Sequence, residues 1–564
     1  MATKDRLIYA PLGGAGEIGM NMYLYGYGPE GRERFILVDI GVTFPDMETT
    51  PGVDLIMADP GWIVGRADRL EAIFITHAHE DHVGALGLLW PRLQVPVHAR
   101  RFTAAIAQSK MERAGLDTTV VRVAQLWPHK VEAGPFSVGF LPVSHSIPES
   151  ASLVIDTPAC RILHTGDFKI DPTPLVGDPF DREAFEAVGA EGVRAMVCDS
   201  TNVFSPAPGR SEASLAEPIT ELMASAKGLV VATTFASNVA RLRTLAEAGR
   251  AAGREVTVLG RAMNTMLRTA RTAEVLDNFP PLLDPIDAAE RPRESLLVLA
   301  TGSQGERRAA SAQLANGRYM GFELNQGDTF LFSSKTIPGN EVAVARILNA
   351  LSARGVRAID DPDDNYHVSG HPNRPDLVTM QDLVRPRSIV PMHGEHRHLT
   401  AHAELASDRG HATVVAPNGT VLDLSEDEPK VIDQIETGRL YLDGTRLIGA
   451  LDGVVRERVR MALRGHVAVS LMVEEGAPIG DVWVDTTGLP DDPNLRDGLA
   501  GTLEREIGHV LRQARTAHIK DDDALEALIQ RTCARVCADR VGKKPICRVM
   551  ISRLDSSPRS FSGL

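Results

Sequence analysis

The segment Ile73-Phe74-Ile75-Thr76-His77-Ala78-His79-Glu80-Asp81-His82 sets four side chains of metal-ligand type, His77, His79, Asp81 and His82, within six residues after an apolar strand. In an extended chain alternate side chains share a face, so His77 and His79 point the same way while Asp81 and His82 follow on a tightening turn. The two pairs can therefore face two different ions. Imidazole and carboxylate together suit zinc, manganese or iron rather than calcium. Val83-Gly84-Ala85-Leu86 then opens a helix.

One loop cannot close two coordination spheres, and the chain offers further strand-then-ligand units. Phe140-Leu141-Pro142-Val143-Ser144 leads to His145, Arg161-Ile162-Leu163-His164 leads through Thr165-Gly166 to Asp167, and Ser388-Ile389-Val390-Pro391-Met392 leads to His393. Each places a functional group at the end of a strand. Asp39 does the same after Phe35-Ile36-Leu37-Val38.

Upstream stands "GGAGEIGMN", where Gly14, Gly16 and Gly19 spell G-x-G-x-x-G. A dinucleotide loop of this pattern needs a helix after it. The residues that follow, Asn21-Met22-Tyr23-Leu24-Tyr25-Gly26, alternate with period two and read as a strand. A turn between two strands is expected instead.

The separation of Asp167 from His393 is far longer than neighbouring strands need. From about Pro218 to Val356 the chain has its own α/β rhythm, with strands at Gly228–Thr233, Val256–Leu259, Leu296–Ala300 and Thr329–Phe332. After the acidic break at Ser425-Glu426-Asp427-Glu428-Pro429, strands near His466–Val473, Asp481–Asp485 and Ile546–Ile551 with two helices read as a small α+β domain. Cys533, Cys537 and Cys547 within it read as buried thiols rather than a metal site. The formal charge of −14 argues against a protein that coats nucleic acid or anionic membrane by bulk electrostatics. Arg241, Arg243, Arg261, Arg268, Arg271, Arg307 and Arg308 are expected to supply a local basic groove. No apolar run approaches a membrane span, and no apolar stretch follows the charged N-terminus, so a cytoplasmic location is expected.

The series Asp39, His77–His82, His145, Asp167 and His393 resembles the metallo-β-lactamase-fold hydrolases. The resemblance implies that His77, His79 and His145 hold one divalent ion and Asp81, His82 and His393 another. Asp167 would bridge them, and Asp39 would brace the loop. Zinc is the expected metal, with manganese or magnesium as alternatives. "VCDSTN", "HVSGH" and "PMHGE" flanking the insertion resemble the β-CASP nucleases, and "GGAGEIGMN", "DIGVTFPD", "THAHEDHVGAL", "HSIP" and "ATGSQGE" together resemble the bacterial ribonuclease J family over residues 7 to about 425.

That resemblance implies an α/β architecture. An αββα sandwich would span residues 1–215 and 361–425, with a β-CASP domain at 216–360, a linker at 426–460 and a C-terminal α+β oligomerisation domain at 461–564. It implies a two-metal ribonuclease with 5′-to-3′ exonuclease and endonuclease action, serving rRNA processing and mRNA decay. Asp81, Asp167, Asp199 and His371 would be catalytic, with His371 donating a proton or stabilising charge. Phe235, Ser237, Asn238, Ser303, Gln304 and Ser333 would bind the RNA and its 5′-monophosphate, while His367, Val368, Ser369, Gly370 and His371 would contact the scissile phosphate. Single-stranded RNA, a homodimer or homotetramer and an RNA-degradation complex are the expected partners. A DNA-directed β-CASP nuclease and a non-catalytic RNA-binding subunit are the alternatives.

Overall fold

The computed structural model describes residues 5–360, 365–491 and 497–554. They fall into two compact units, Ile56–Leu440 with the segment ending at Thr43, and Tyr441 onward with Phe44–Leu55.

In the first unit, two sheets face each other. One runs Lys430–Gln434, Thr420–Asp423, Arg6–Gly13, Met22–Gly28, Arg34–Val38, Leu70–Ile75, Val97–Ala99 and Val121–Val123. The other runs Lys130–Ala133, Phe136–Pro142, Ala151–Asp156, Arg161–His164, Ala195–Asp199, Ser388–Met392 and Ala412–Thr413. Tyr9, Tyr25 and Phe74 from the first meet Phe140, Leu153, Val197 and Met392 from the second in one core. Each such large apolar side chain contributes about 1.5–3 kcal/mol on burial. On the outer face of the second sheet, Phe185, Leu377, Met380 and Leu405 anchor the helices Arg182–Ala190, Arg374–Val384 and His396–Asp408. Helices Leu86–Leu93 and Arg101–Arg113 pack together beside the first sheet's last strand. The layers are those of an αββα sandwich.

Ala195–Asp199 and Ser388–Met392 are hydrogen-bonded neighbours running parallel, so the chain between them leaves and re-enters the sheet at adjacent strands. That excursion contains six parallel strands in the order Leu282–Leu283, Glu255–Leu259, Leu296–Ala300, Val230–Thr233, Thr329–Phe332 and Arg357–Ile359. Parallel strands need helical crossovers, and helices such as Val239–Ala251 and Glu341–Ala353 provide them.

The stretch 426–460, expected as a linker, is structured. Lys430–Gln434 pairs antiparallel with Thr420–Asp423, and Val454–Arg464 is a helix. The strand is exposed along its whole length, so it lacks the alternating burial that marks a strand in sequence. In the second unit a three-stranded sheet buries one face against Gly498–Gln513 and Asp522–Val541 through Val467, Val469, Leu503, Ile507 and Ile529. Cys533 and Cys537 lie in that core as free thiols. No helix among the described residues is long and apolar enough to cross a membrane.

Candidate metal centre and phosphate pocket

The histidine loop is tied down before any ion is considered. The Thr76 N–H donates to Asp39 Oδ1 at 2.8 Å, the Thr76 hydroxyl donates to Asp39 Oδ2 at 2.9 Å, and His82 Nδ1 lies 2.7 Å from the same oxygen. Asp39 is wholly buried and holds a left-handed φ of 62°. Such a conformation costs a non-glycine residue about 1–3 kcal/mol and persists only where its surroundings enforce it. The turn after His79 is a single helical turn, Glu80–Val83, so Asp81 and His82 project from a helix. Asn21 fixes that turn, with its Nδ2 donating to the Asp81 carbonyl at 3.0 Å and lying 3.0 Å from His82 Nε2.

Gly41 is equally close, since a Cβ there would stand 1.6 Å from the Asp81 carbonyl oxygen. Gly41→Ala must therefore push the Asp81 turn away. Overpacking of this kind costs about 1–3 kcal/mol, and displaced ligands lose about 10–100-fold in metal affinity. Elemental analysis after dialysis against a weak chelator should show depleted metal in this variant and full occupancy in wild type.

Ligand-type atoms converge in two overlapping groups, each within 4.8 Å: His77, His79, His145 and Asp167, and Asp81, His82, Asp167 and His393. A third, Asp167, Asp199, His371 and His393, adjoins them. His79 Nδ1 lies 3.1 Å from both His77 Nε2 and His145 Nε2, so three ring nitrogens point at one another. Burial pushes His77 and His145 well below the ordinary histidine range and His79 down to about 4, leaving neutral imidazoles with lone pairs to share. Asp167 Oδ2 lies 3.2 Å from His82 Nε2 and 3.6 Å from both His77 and His393, while its Oδ1 is buried with no hydrogen-bond partner. Burial alone would raise this carboxyl, but His393, His82 and His371 hold it well below the usual range. The neutral imidazoles of His77, His79 and His145 beside an orphaned buried carboxylate oxygen fit the binding of a divalent metal, while at His82 and His393 the surrounding carboxylates outweigh burial and raise those two rings.

The glycine loop braces His393. Gly14, Gly16 and Gly19 all take positive φ, and Ala15–Gly16 forms a short strand inside the expected turn, parallel to Gly394–Glu395. The His393 N–H donates to the Gly14 carbonyl at 2.8 Å, and Thr201 Oγ1 lies 2.7 Å from His393 Nδ1. Beside this, His371 Nδ1 sits 2.8 Å from Asp199 Oδ2. Burial lowers His371, yet Asp199 and Asp167 outweigh it and raise it to about 9. His145 Nδ1 meets the Gly370 carbonyl at 2.6 Å, which joins the 365–371 loop to the first ligand group.

The remaining predicted residues gather at a second edge. Val230–Thr233 lies between Leu296–Ala300 and Thr329–Phe332, all parallel, so Phe235–Asn238, Ser303–Gln304 and Ser333 leave the carboxyl ends of three neighbouring strands. Ligands of open parallel sheets bind at such edges. The hydroxyls of Thr234 and Ser334 there are buried without hydrogen-bond partners. Phe235 and Ser237 are half-buried, whereas Asn238 is buried and caps the following helix by accepting from the Arg241 N–H. Gln304 is committed internally, donating to the Lys335 carbonyl and accepting from the Ile337 N–H. Ser333 Oγ donates to the Tyr366 carbonyl at 2.7 Å, linking this edge to the loop of His367, Val368, Ser369, Gly370 and His371. Ser369 Oγ in turn accepts from Asn202 Nδ2.

Arg241 does not line a groove. It is fully buried, its Nε 2.5 Å from Glu212 Oε1 and its Nη1 donating to the Ser333 carbonyl at 2.8 Å and facing His367 Nδ1 at 3.2 Å. Its helix turns it inward because a carboxylate, Glu212, waits there. Arg243 is held by Glu247 and the Leu175 carbonyl, whereas Arg261, Arg268, Arg271, Arg307 and Arg308 are exposed. His367 is pushed well down, first by burial and then by the nearby charges of Arg241, Lys335, Lys169 and Arg210, of which Arg241 is paired with Glu212 and Lys169 with Asp171.

Sequence reasoning passed over Asn21, Thr76 and Thr201, which orient ligands, and Glu212, which neutralises Arg241. Thr76 directly precedes His77, Asn21 closes the glycine loop and Thr201 sits within "DSTN". Their polarity beside ligand residues was the available signal.

Comparison with known proteins covers almost the whole chain. Residues 16–210 match the model of the metallo-β-lactamase superfamily, 227–351 that of the ribonuclease J β-CASP domain, 364–417 that of the Zn-dependent metallo-hydrolase RNA specificity domain and 453–554 that of the ribonuclease J C-terminal domain. The chain is 41% identical to a ribonuclease J of Sinorhizobium meliloti over 98% of both chains. It is 34% identical to one from Mycolicibacterium smegmatis over 95% of both, and 32% identical to one from Thermus thermophilus over 91% of this chain and 88% of that one.

Proposed function

Because the chain belongs to the ribonuclease J family, we propose that it is a two-metal ribonuclease removing nucleotides 5′-to-3′ from 5′-monophosphorylated RNA and also cutting internally. The observation that carries the metal-dependent hydrolysis is the convergence of His77, His79, His145, Asp81, His82 and His393 on the shared carboxylate of Asp167. Divalent ions bound there, zinc or alternatively manganese or magnesium, would lower the pKa of a water and polarise a phosphoryl oxygen.

The protein's own groups do the rest. His77, His79 and His145 would hold one ion, Asp81, His82 and His393 the other, and Asp167 would bridge. Asp39 holds His82 by its Nδ1, which turns Nε2 toward Asp167. Asp199 orients His371 by its Nδ1 and its charge favours the protonated ring, so that Nε2 would donate to the scissile phosphate or the leaving oxygen. His371→Ala should lower kcat by about 10²–10⁴-fold with metal content unchanged, as elemental analysis beside steady-state kinetics would show.

The cationic side chains near His367, with the unsatisfied hydroxyls of Thr234 and Ser334 at the adjoining edge, support a seat for the terminal 5′-monophosphate. Phe235 offers a ring on which a base can stack. By family resemblance the protein works in the cytoplasm on ribosomal and messenger RNA, as a homodimer or homotetramer, within a larger degradation complex.

The test is direct: 3′-labelled RNA carrying a 5′-monophosphate, a 5′-triphosphate or a 5′-hydroxyl, and matching DNA, are incubated with metal-loaded protein. Progressive shortening of monophosphorylated RNA, with triphosphate and DNA much slower, is expected. Equal cutting of RNA and DNA would favour the DNA-directed alternative, and no cutting would favour the non-catalytic one.

A further inference from the structure

In the second unit, helix Val454–Arg464 carries Arg456, Arg460 and Arg464 at intervals of four residues, so the three side chains form one stripe. The opposite face of the helix is spent on the fold. Val455 is buried, Val459 is half-buried, and Arg458 turns in to Asp443 at 2.6 Å. Arg456, Arg460 and Arg464 are exposed, and none makes an ion pair or hydrogen bond among the described residues. Glu457, the acid on this helix, lies 3.8 Å from Arg548, a further exposed arginine.

Two lysines extend the patch. Lys543 Nζ donates to the Leu463 carbonyl at 3.1 Å, and the Ile546 N–H donates to the Gly465 carbonyl at 3.0 Å. Those bonds fix Lys543-Lys544 at the end of the helix, with Lys544 exposed and unpartnered among the described residues.

The fold gains nothing from this arrangement. Like charges four residues apart destabilise a helix, and its dipole disfavours a cation in the first turn, where Arg456 stands. In a chain of formal charge −14 an uncompensated basic stripe is a local exception, complementary to a polyanion. A helix that sinks into a membrane turns its apolar side to the lipid. Here that side faces the domain, the arginines face outward, and Met461 and Leu463 stand only at the flanks of the stripe. Successive arginines stand about 5–6 Å apart at Cβ, close to the step between neighbouring phosphates of an extended strand. The stripe holds no aromatic ring, so it suits backbone phosphates rather than stacked bases.

We propose that Arg456, Arg460, Arg464 and Lys544 form an RNA-docking strip outside the metal centre, which holds the phosphate backbone of single-stranded RNA without reading its sequence. The proposal rests on the reading above that the substrate is RNA, and it adds a contact that long strands make and short ones do not.

Fluorescence anisotropy on the metal-loaded full chain carrying His371→Ala, which slows cutting, tests it with labelled RNA. Adding Arg456→Gln, Arg460→Gln and Arg464→Gln keeps good helix formers in place, so the thermal melt should not move. The dependence of log affinity on log salt for a long unstructured strand should become shallower by about 2, the slope of three lost phosphate contacts on a single strand, with binding about tenfold weaker at moderate salt. Lys544→Gln alone should lower the slope by about 0.7. Replacing the three arginines by lysine should preserve binding and slope, because a phosphate contact of this kind needs the charge. With His371 intact, the triple glutamine variant should cut a short 5′-monophosphorylated oligonucleotide at the wild-type rate but show a raised KM for the long strand. Unchanged affinity and slope in the glutamine variant overturn the proposal, as does an equal loss for long and short RNA. Loss of binding to phosphatidylserine vesicles with RNA binding intact would assign the stripe to a lipid surface and also overturn it. If the strip binds RNA as described but the metal-loaded wild type hydrolyses none, the ribonuclease reading fails and the strip stands.

Discussion

Asp167→Ala should abolish turnover, lowering kcat/KM by about 10⁴-fold or more, the scale seen when an indispensable catalytic group is removed. Asp167 is common to all three groups of converging ligand atoms, and five histidines face its Oδ2 within 4 Å. With Asp167 bridging as proposed, its removal would deprive both ion positions of a ligand and leave a buried cluster of imidazoles without their counter-charge. Metal content should therefore fall at both positions, whereas His371→Ala should spare it. Parallel elemental analysis and single-turnover kinetics on the two variants would check that contrast. Unchanged metal in Asp167→Ala would remove it from the bridging role.

Arg241→Ala should be among the most destabilising single changes in the first unit, at about 3–5 kcal/mol, because it strands the Glu212 carboxylate inside the protein. Glu212 is 3% exposed and also receives the Thr244 hydroxyl. The pair Arg241→Met with Glu212→Leu should recover much of that loss, since two apolar groups need no partners. Burial would raise Glu212, but the Arg241 charge and hydrogen bonds outweigh it and hold the carboxyl below the usual range. A depressed carboxyl stabilises the fold fully at neutral pH and loses that contribution as pH falls through its folded value. Stability should thus decline below about pH 4, the ordinary glutamate range, and this part of the decline should be missing from the double variant. Denaturant melts across pH would measure both effects. The same arginine spans Glu212, Ser333 and His367, so the single variant should also raise KM for monophosphorylated RNA.

The convergence of the candidate site was legible because its residues of ligand type come as dense local clusters at strand ends, a pattern that survives without coordinates. The strands were legible where residue type alternates, as at the nearly all-buried Met22–Gly28, or where a parallel strand is apolar throughout, as at Leu296–Ala300. Arg241 was misread because sequence records its charge but not Glu212, which lies distant in the chain and is joined to it only by folding. Lys430–Gln434 was missed since an edge strand with both faces exposed has no pattern to show. The glycine motif leads into a strand rather than a helix, and its structural use as a bracket for His393 depends on a hydrogen bond across most of the chain. Asp39, which could pass for a ribose-binding acid by spacing alone, is spent on Thr76 and His82.

The most direct measurement is metal titration of chelator-stripped protein, with bound equivalents and RNA hydrolysis read on the same samples. Two equivalents per chain, with hydrolysis absent in the stripped protein and appearing as the positions fill, is the result this account predicts. Full hydrolysis by stripped protein in excess chelator, or saturation at a single equivalent with full activity, would contradict it.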